Sequence, residues 1–518
     1  MDVVVAGGGH NGLVAAILAA QAGRSVLLLE RSDHVGGAAV SAQVFAGRPA
    51  RLSKYSYLVS LFPDELQRRL GVRVELRSRA VSSYTPLQRD GRATGLLVER
   101  EPSSATEASF RALTGSEAEW RAWQQLYSEL AVLARVLAPG LTGELHSRSQ
   151  ARDAVLAAGG SRIWEEVVQA PVAELITSRF ADDSVRGIVA TDALIGTFTS
   201  LADESLLANR CFLYHLIGRG TGEWLVPVGG MGALSDALLT RALELGVEVR
   251  TGVEVRSVDE DAVGVTLQAE LSGGGELEVR ATNLLAAVAP VTIDRWRGRV
   301  SAAAPEGAQL KINMLLDRLP RLKSGIDPNV AFAGTTHFEE DYSQLEEAYR
   351  VAGAGEVPAL LPAEIYCHSL TDPSILQGYP GHTLTLFGLH APARLFAEDP
   401  ELAKQRVTQA ALASLQRHLA EPLEDCLARD ENGWLCLDVA TPVDVEQSVG
   451  MPGGHIFHGD LQWPWLDDDA DRSTPAQRYG VAVADSERIL IAGSGSRRGG
   501  AVSGLGGAAA VDALLATR

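Results

Sequence analysis

Hydrophobic positions along this chain fall into two registers. Short unbroken apolar runs of four to six residues alternate with longer stretches rich in Ala and Leu, and glycines cluster where one gives way to the other. The first thirty residues show the pattern in full. Asp2-Val3-Val4-Val5-Ala6 is apolar and β-branched, which predicts a buried parallel strand. Gly7-Gly8-Gly9-His10-Asn11-Gly12 follows at once, and residues 13–22 predict a helix that Gly23 ends. Ser25-Val26-Leu27-Leu28-Leu29 predicts a second buried strand, closed by Glu30. Near the other end, residues 488–492 predict a strand that runs into a glycine-rich turn over 493–507 and an Ala-rich helix to 515.

Between these ends the pattern changes several times. Residues 61–70 predict a helix with Pro63 near its start, and 72–98 alternate as strands of a separate sheet. Residues 106–137 predict a helix carrying Trp120 and Trp123 on one face for helix–helix packing, and 151–186 predict two or more further helices. Gly229-Gly230-Met231-Gly232 leads into a helix over 235–245, capped by Gly246. Strands over 247–258 and a hairpin turning at Gly273-Gly274-Gly275 come next, then an apolar strand over 283–290. Strands are predicted at 310–316 and 384–389, and a helix at 401–419. Thr441-Pro442-Val443-Asp444 reads as a helix start, and 450–465 is irregular and dense in Gly, His and Trp. The fold class is therefore α/β, a Rossmann-like nucleotide-binding domain interrupted by an inserted α+β domain. The boundaries are 1–75, 221–292 and 436–518 for the first, 76–220 and 293–435 for the second.

The glycine spacing G-x-G-x-x-G carries the first chemistry. Gly7 permits a tight turn, Gly9 a close approach of backbone to a pyrophosphate, and Gly12 close contact of helix and strand. The helix N-terminus offers free N–H groups to phosphates. Glu30, 18 residues after Gly12, is placed to accept from a ribose diol. Gly36-Gly37 just past the second strand again allows backbone to approach a ligand.

At 518 residues the length suggests roughly three domains. The 46 basic and 65 acidic residues leave a net charge of −19, which argues against nucleic acid and against a polybasic membrane patch. Cys211, Cys367, Cys426 and Cys436 have no C-x-x-C spacing and read as reduced, buried thiols of a cytoplasmic protein. No basic, apolar leader precedes the first strand, and 13–29 is broken by Gln21, Gly23 and Arg24, so neither a signal peptide nor a membrane span is expected there. A greasy substrate would leave peripheral membrane contact open; a homodimer is open too.

The runs VVVAGGGHNGLVAA, LLLERSDHVGGAA, PVGGMGALSDAL, GGHIFHGDL and AGSGSRRGGAVSGLGGAAA, in that order, resemble the phytoene-desaturase-like branch of the flavin-containing amine oxidoreductase superfamily. Within it the chain is most similar to the pyridine nucleotide-disulfide oxidoreductase domain-containing protein 2 type. The resemblance spans the whole chain. It implies non-covalent FAD, a split glutathione-reductase-type FAD domain, and a sheet roofing the isoalloxazine. Carried over, it gives Gly7, Gly9 and Gly12 to the pyrophosphate and Glu30 to the adenosine ribose, with Asn11 among the cofactor-binding residues. Arg31, Gly36, Gly37 and Ala38 would line the cofactor, Val255 would meet adenine with its backbone, and Gly493, Ser494, Val502, Ser503 and Gly504 would close over the flavin end. A nicotinamide site is not expected, because Gly230-Met231-Gly232 continues to Ser235 where a second fingerprint needs Gly, and no redox Cys pair exists.

The resemblance also implies a lysine near flavin N5, and Lys311 falls at that place. A strand lysine flanked by Leu310 and Ile312 is costly to bury; the bland alternative is an edge-strand lysine facing solvent. His455 and His458 could face the flavin or be loop histidines bonded to backbone, and no third ligand nearby suggests a metal. Trp463 and Trp465 fit a pocket wall or a core equally. The expected activity is an FAD-dependent oxidase or desaturase taking a hydride from a small or lipophilic substrate, with Lys311 and His458 as catalytic candidates. The alternatives are a redox-neutral isomerase using reduced FAD and a flavoprotein-fold binding protein without turnover.

Overall fold

The computed structural model describes residues 1–301 and 305–517. The apolar runs of the opening and closing segments meet in one five-stranded parallel sheet. Its order is Ile489–Ile491, Asn283–Ala286, Val3–Ala6, Val26–Leu29, Glu248–Arg250. Val3 sits opposite both Val26 and Asn283, so the first strand is central and every residue of VVVA and VLLL is buried. A strand covered on both faces has no polar side to alternate with, which is why these runs are unbroken.

One face of that sheet is covered by three helices, His10–Gln21, Met231–Glu244 and Leu505–Ala516. Glycine sets how closely they sit. A Cβ on Gly12 would lie 1.9 Å from the Gly7 carbonyl oxygen, and one on Gly507 would lie 2.1 Å from that of Asn11. The other face carries a three-stranded antiparallel sheet, Val253–Glu260, Val265–Leu271 and Glu276–Ala281, whose hairpin turns at residues 272–275 as the glycines predict.

The inserted part holds a seven-stranded sheet in the order Leu437–Ala440, Leu310–Leu316, His382–Gly388, Ala363–Tyr366, Thr335–Phe338, Val81–Arg89, Arg92–Glu99. Only the pairing of Thr335–Phe338 with Val81–Arg89 is parallel. The Lys311 strand is paired on both sides, so the edge-strand alternative is overturned. The expected single helix over 106–137 is two, Ser104–Thr114 and Ala118–Leu137, because Gly115 ends the first in a left-handed turn at φ +72°. Trp120 and Trp123 pack on Phe110 with ring centroids 5.3 and 5.4 Å away, as helix–helix packing requires. Trp465 is fully buried, stacked on Trp463 and close to Trp164; neither Trp463 nor Trp465 reaches the large cavity described below. All four cysteines are buried and free. Among the described residues no helix is long and apolar enough to cross a membrane.

Candidate functional site

A cavity of about 1200 Å³ is walled by the glycine turns of the five-stranded sheet and by the seven-stranded sheet. At the first turn Gly7 is in the positive-φ region at +103°, which swings the chain over the sheet edge. A Cβ on Gly9 would meet nothing closer than the Gly37 Cα, 3.9 Å away, so this backbone faces open space. The helix His10–Gln21 has no side-chain cap and no acid in its first turn. Its first N–H groups are therefore unpaired by the helix and available to an anion.

Glu30 lines the cavity and is fixed from behind. Oε2 accepts from the Gly8 N–H at 2.6 Å, and Oε1 from the Ser32 N–H at 2.8 Å. Each oxygen keeps a lone pair for a ligand hydroxyl. Arg31 also lines the cavity and is steadied by the Gln447 and Ser448 carbonyls at 3.3 and 3.4 Å. Asn11 ties the two ends of the chain together. Its Nδ2 donates to Ser494 Oγ at 3.2 Å, and its Oδ1 accepts from the Gly507 N–H at 3.3 Å.

Of the residues expected at a cofactor, Gly7, Gly9, Asn11, Glu30, Arg31, Gly37, Ala38, Val255, Gly493, Ser494 and Val502 line this one cavity. Gly12, Gly36, Ser503 and Gly504 do not. Gly12 serves the helix–strand contact, and Gly36 pairs with Gly9 through a parallel bridge while a Cβ there would strike Val40. Ser503 Oγ accepts from the Leu505 N–H in the turn that precedes the last helix, and Gly504 packs under Phe62 and Leu66. These four shape the wall from behind it.

Lys311 is 4% exposed and lines the cavity. Its Nζ donates to the Ser53 and Tyr55 carbonyls, both at 2.6 Å, and lies 5.1 Å from the Tyr57 ring centre. Asn313, two residues on and on the same face, holds the Lys54 carbonyl at 3.3 Å. The polar pair in this strand thus clasps the loop 53–55. Burial pushes the Lys311 ammonium down to about 7, against the pull of Asp438. A neutral amine has two N–H donors and one lone pair; the two carbonyls occupy both donors and leave the lone pair.

His458 lines the cavity with its backbone at φ +65° and its Nδ1 without a hydrogen-bond partner among the described residues. Burial, then the neighbouring His455, pushes it down to about 4, so it is a neutral ring. His455 is buried away from the cavity and accepts from the Phe457 N–H, the backbone-bonded loop histidine weighed above.

One constellation went unread in the sequence. His337, Glu340 and Glu364 are buried side by side, their ligand atoms within 4.8 Å of one another. His337 Nδ1 and Glu340 Oε2 are 2.6 Å apart, and Glu364 accepts from the Tyr366 hydroxyl and from Thr191 Oγ1. Burial pushes Glu364 up to about 7, and burial with the nearby Glu364 and Glu340 pushes Asp192 up to about 8. Glu364 stands between Ala363 and Ile365 in a buried strand. That is the same signal that marks Lys311, a charge inside an apolar run.

Residues 2–158 match the family model described as FAD dependent oxidoreductase. Uncharacterized protein Rv0897c of Mycobacterium tuberculosis (strain ATCC 25618 / H37Rv) is 46% identical over 523 residues, 99% of this chain and 97% of its own. Pyridine nucleotide-disulfide oxidoreductase domain-containing protein 2 of Mus musculus is 29% identical over 559 residues, 98% of this chain and 92% of its own. Among solved structures, putrescine oxidase bound to putrescine superposes with a TM-score of 0.56 at 18% identity, covering 100% of this chain and 99% of that one. Cyclohexylamine oxidase from Brevibacterium oxydans IH-35A superposes at 0.55 and 16% identity, with the same coverage. These two share the fold. The open glycine cradle, the uncapped helix and the anchored Glu30 fit a dinucleotide. With the family match and the near full-length relative, they show that the chain belongs to the FAD-dependent oxidoreductase family and that its cofactor is FAD.

Proposed function

We propose that this oxidoreductase takes a hydride from a C–H bond of a small or lipophilic organic substrate, as an oxidase or desaturase. The carrying observation is Lys311, a buried lysine in the middle of a sheet, held by two carbonyls and facing the FAD-sized cavity. Bound FAD supplies the two-electron acceptor. The chain supplies placement. Gly7, Gly9 and the helix N-terminus hold the pyrophosphate, Glu30 the ribose, and the Val255 backbone the adenine, while Gly493, Ser494 and Val502 bound the flavin end. Asn11, Gly12, Gly36, Ser503 and Gly504 position those groups. Lys311, with its lone pair free, accepts or relays a proton at its Nζ; His458, neutral and with Nδ1 unpaired, is the second proton-handling group on the wall. Tyr57, Tyr366 and Phe387 supply apolar walls that keep water from the reacting carbon, with ring centroids 4.9 and 5.9 Å from Tyr57.

Anaerobic mixing of the purified holoprotein with a panel of amines and polyenes tests this. Bleaching of the flavin band by at least one substrate, with a product lighter by two hydrogens, is expected. Turnover to a product of unchanged mass would overturn it.

A further inference from the structure

Two arginines buried elsewhere in the chain have partners of their own. Arg179, its side chain 4% exposed, forms ion pairs with Glu129 and Glu166. Arg498 donates from every guanidinium nitrogen to the Tyr479, Leu141 and Gly143 carbonyls. Arg79 differs. It is 7% exposed and lines the cavity just ahead of the strand Val81–Arg89. Nη1 donates to Thr335 Oγ1 at 3.1 Å, Nε is buried without a partner, and the group forms no ion pair among the described residues. The nearby acids are engaged. Glu364 accepts from Tyr366 and Thr191, while Glu223 accepts from Ser78 and lies 3.5 Å from Arg100 Nε. Burial pushes Glu364 up to about 7, so at pH 6.5 it is mostly protonated and does not neutralise the arginine. A guanidinium keeps its charge, and a desolvated charge without a counter-ion is costly. The cavity supplies the route by which an anion reaches it.

The place of Arg79 on the sheet indicates what that anion carries with it. Thr335 and Tyr366 stand opposite each other, and the guanidinium carbon is 5.6 Å from the Tyr366 ring centre. The Tyr366 ring centre is 4.9 Å from that of Tyr57, which in turn is 5.1 Å from Lys311 Nζ. Phe387, paired with Lys311 on one side and Glu364 on the other, packs on Tyr57 with ring centroids 5.9 Å apart. Aromatic rings thus separate the unpaired cation from the lysine of the proposed reaction. A ligand that answers both ends has an anionic head at Arg79 and an apolar body across Tyr366, Tyr57 and Phe387. A carboxylate brings one charge to one free guanidinium. A phosphate monoester carries close to two near neutral pH, and the second would face Glu364 and Glu223. The cradle for the FAD pyrophosphate, at Gly7 and Gly9, belongs to the five-stranded sheet, and Arg79 to the seven-stranded one.

We propose that Arg79 binds the carboxylate of a lipophilic acid, whose reacting C–H lies several carbons away toward Lys311. The proposal rests on the oxidoreductase reading of this cavity and narrows its substrate.

The test is a titration of the anaerobic holoprotein at pH 6.5, read by the flavin difference spectrum and by tryptophan quenching. The probes are n-octanoate, ionised at that pH, n-octanamide, its neutral isostere, and n-octyl phosphate. Octanoate is expected to bind at least tenfold tighter than octanamide. Arg79→Gln should abolish that preference while leaving octanamide binding and flavin content unchanged, and Arg79→Lys should retain part of it, with melting temperature verifying each fold. Phenylglyoxal labelling of the unmutated protein, mapped by mass spectrometry, needs no variant: octanoate, and not octanamide, should protect Arg79. Equal binding of the two probes, an unchanged preference in Arg79→Gln, or protection confined to other arginines would overturn the proposal. So would loss of FAD from a folded Arg79→Gln, which would give the arginine to the coenzyme, or octyl phosphate bound tighter than octanoate through Arg79. Arg79-dependent octanoate binding in an enzyme whose substrate keeps its mass supports the site and counts against hydride removal. Bleaching by a substrate without a carboxyl group, at equal rates in Arg79→Gln, does the opposite.

Discussion

Replacing Lys311 by Met tests whether this lysine is neutral in the folded protein. Methionine keeps the length and apolar character of the stem and removes the amine. Two effects follow. The Ser53 and Tyr55 carbonyls lose their donors, at about 1–3 kcal/mol each, and this loss does not vary with pH. The second effect does vary. A lysine that titrates near 7 in the folded chain and at 10.5 when unfolded takes up close to one proton on unfolding between those values. Wild-type stability must then climb with pH through that window, by about 1.4 kcal/mol per pH unit, or about 2.7 kcal/mol from pH 7.5 to 9.5. The Met variant lacks this climb, and groups shared by both proteins cancel in the difference. Urea unfolding of both proteins at five pH values in that range measures it. A difference that stays flat would show that the ammonium remains charged, held by its two carbonyls and Asp438, and would refute the neutral-amine reasoning. The same variant should slow flavin reduction or reoxidation; unchanged rates in both half-reactions would remove Lys311 from the chemistry.

Gly12→Ala puts a methyl 1.9 Å from the Gly7 carbonyl oxygen and 3.1 Å from the Ala287 Cβ. Overpacking of this kind costs about 1–3 kcal/mol or more, so the variant should melt lower and purify with substoichiometric FAD, both read from one absorbance scan and one thermal ramp. Glu30→Gln weakens charge-assisted bonds to Gly8 and Ser32 and to the ribose, each worth about 1.5–3 kcal/mol; FAD affinity should fall tenfold or more by flavin fluorescence quenching. The thiols of Cys211, Cys367, Cys426 and Cys436 are buried and all titrate higher than usual through desolvation. They should react with a thiol reagent only as fast as the protein unfolds. Asn209→Ala removes a buried amide that donates to Val167 and Ala170 and accepts from the Val172 N–H; a loss of about 2–4 kcal/mol in chemical denaturation is expected.

What could be read from the chain depended on how local its cause was. The first strand, the glycine turn and the second strand were legible because each glycine answers a contact within a few residues or a fixed backbone angle. Lys311 was legible because a charge inside LKINMLL is anomalous whatever it pairs with. Glu364 carried the same anomaly within AEIY and passed unread. Tyr366, within the same run, is one partner, but Thr191, His337 and Glu340 lie elsewhere in the sequence, and no local pattern announces the pairing of His337 with Glu364 across two strands. The parallel pairing of Thr335–Phe338 with Val81–Arg89 was likewise hidden, since no periodicity encodes which of several apolar strands will be neighbours. The break at Gly115 was a local signal overridden by the strong helical pattern on both sides of it.

Asn11 reaching across to Ser494 and Gly507 has a consequence for biosynthesis. A ribosome that has delivered the first 480 residues has made the cradle's opening turn but not the edge strand Ile489–Ile491 or the helix Leu505–Ala516 that lock it. Coenzyme capture is therefore a late, post-translational event, and an arrested nascent chain should emerge colourless.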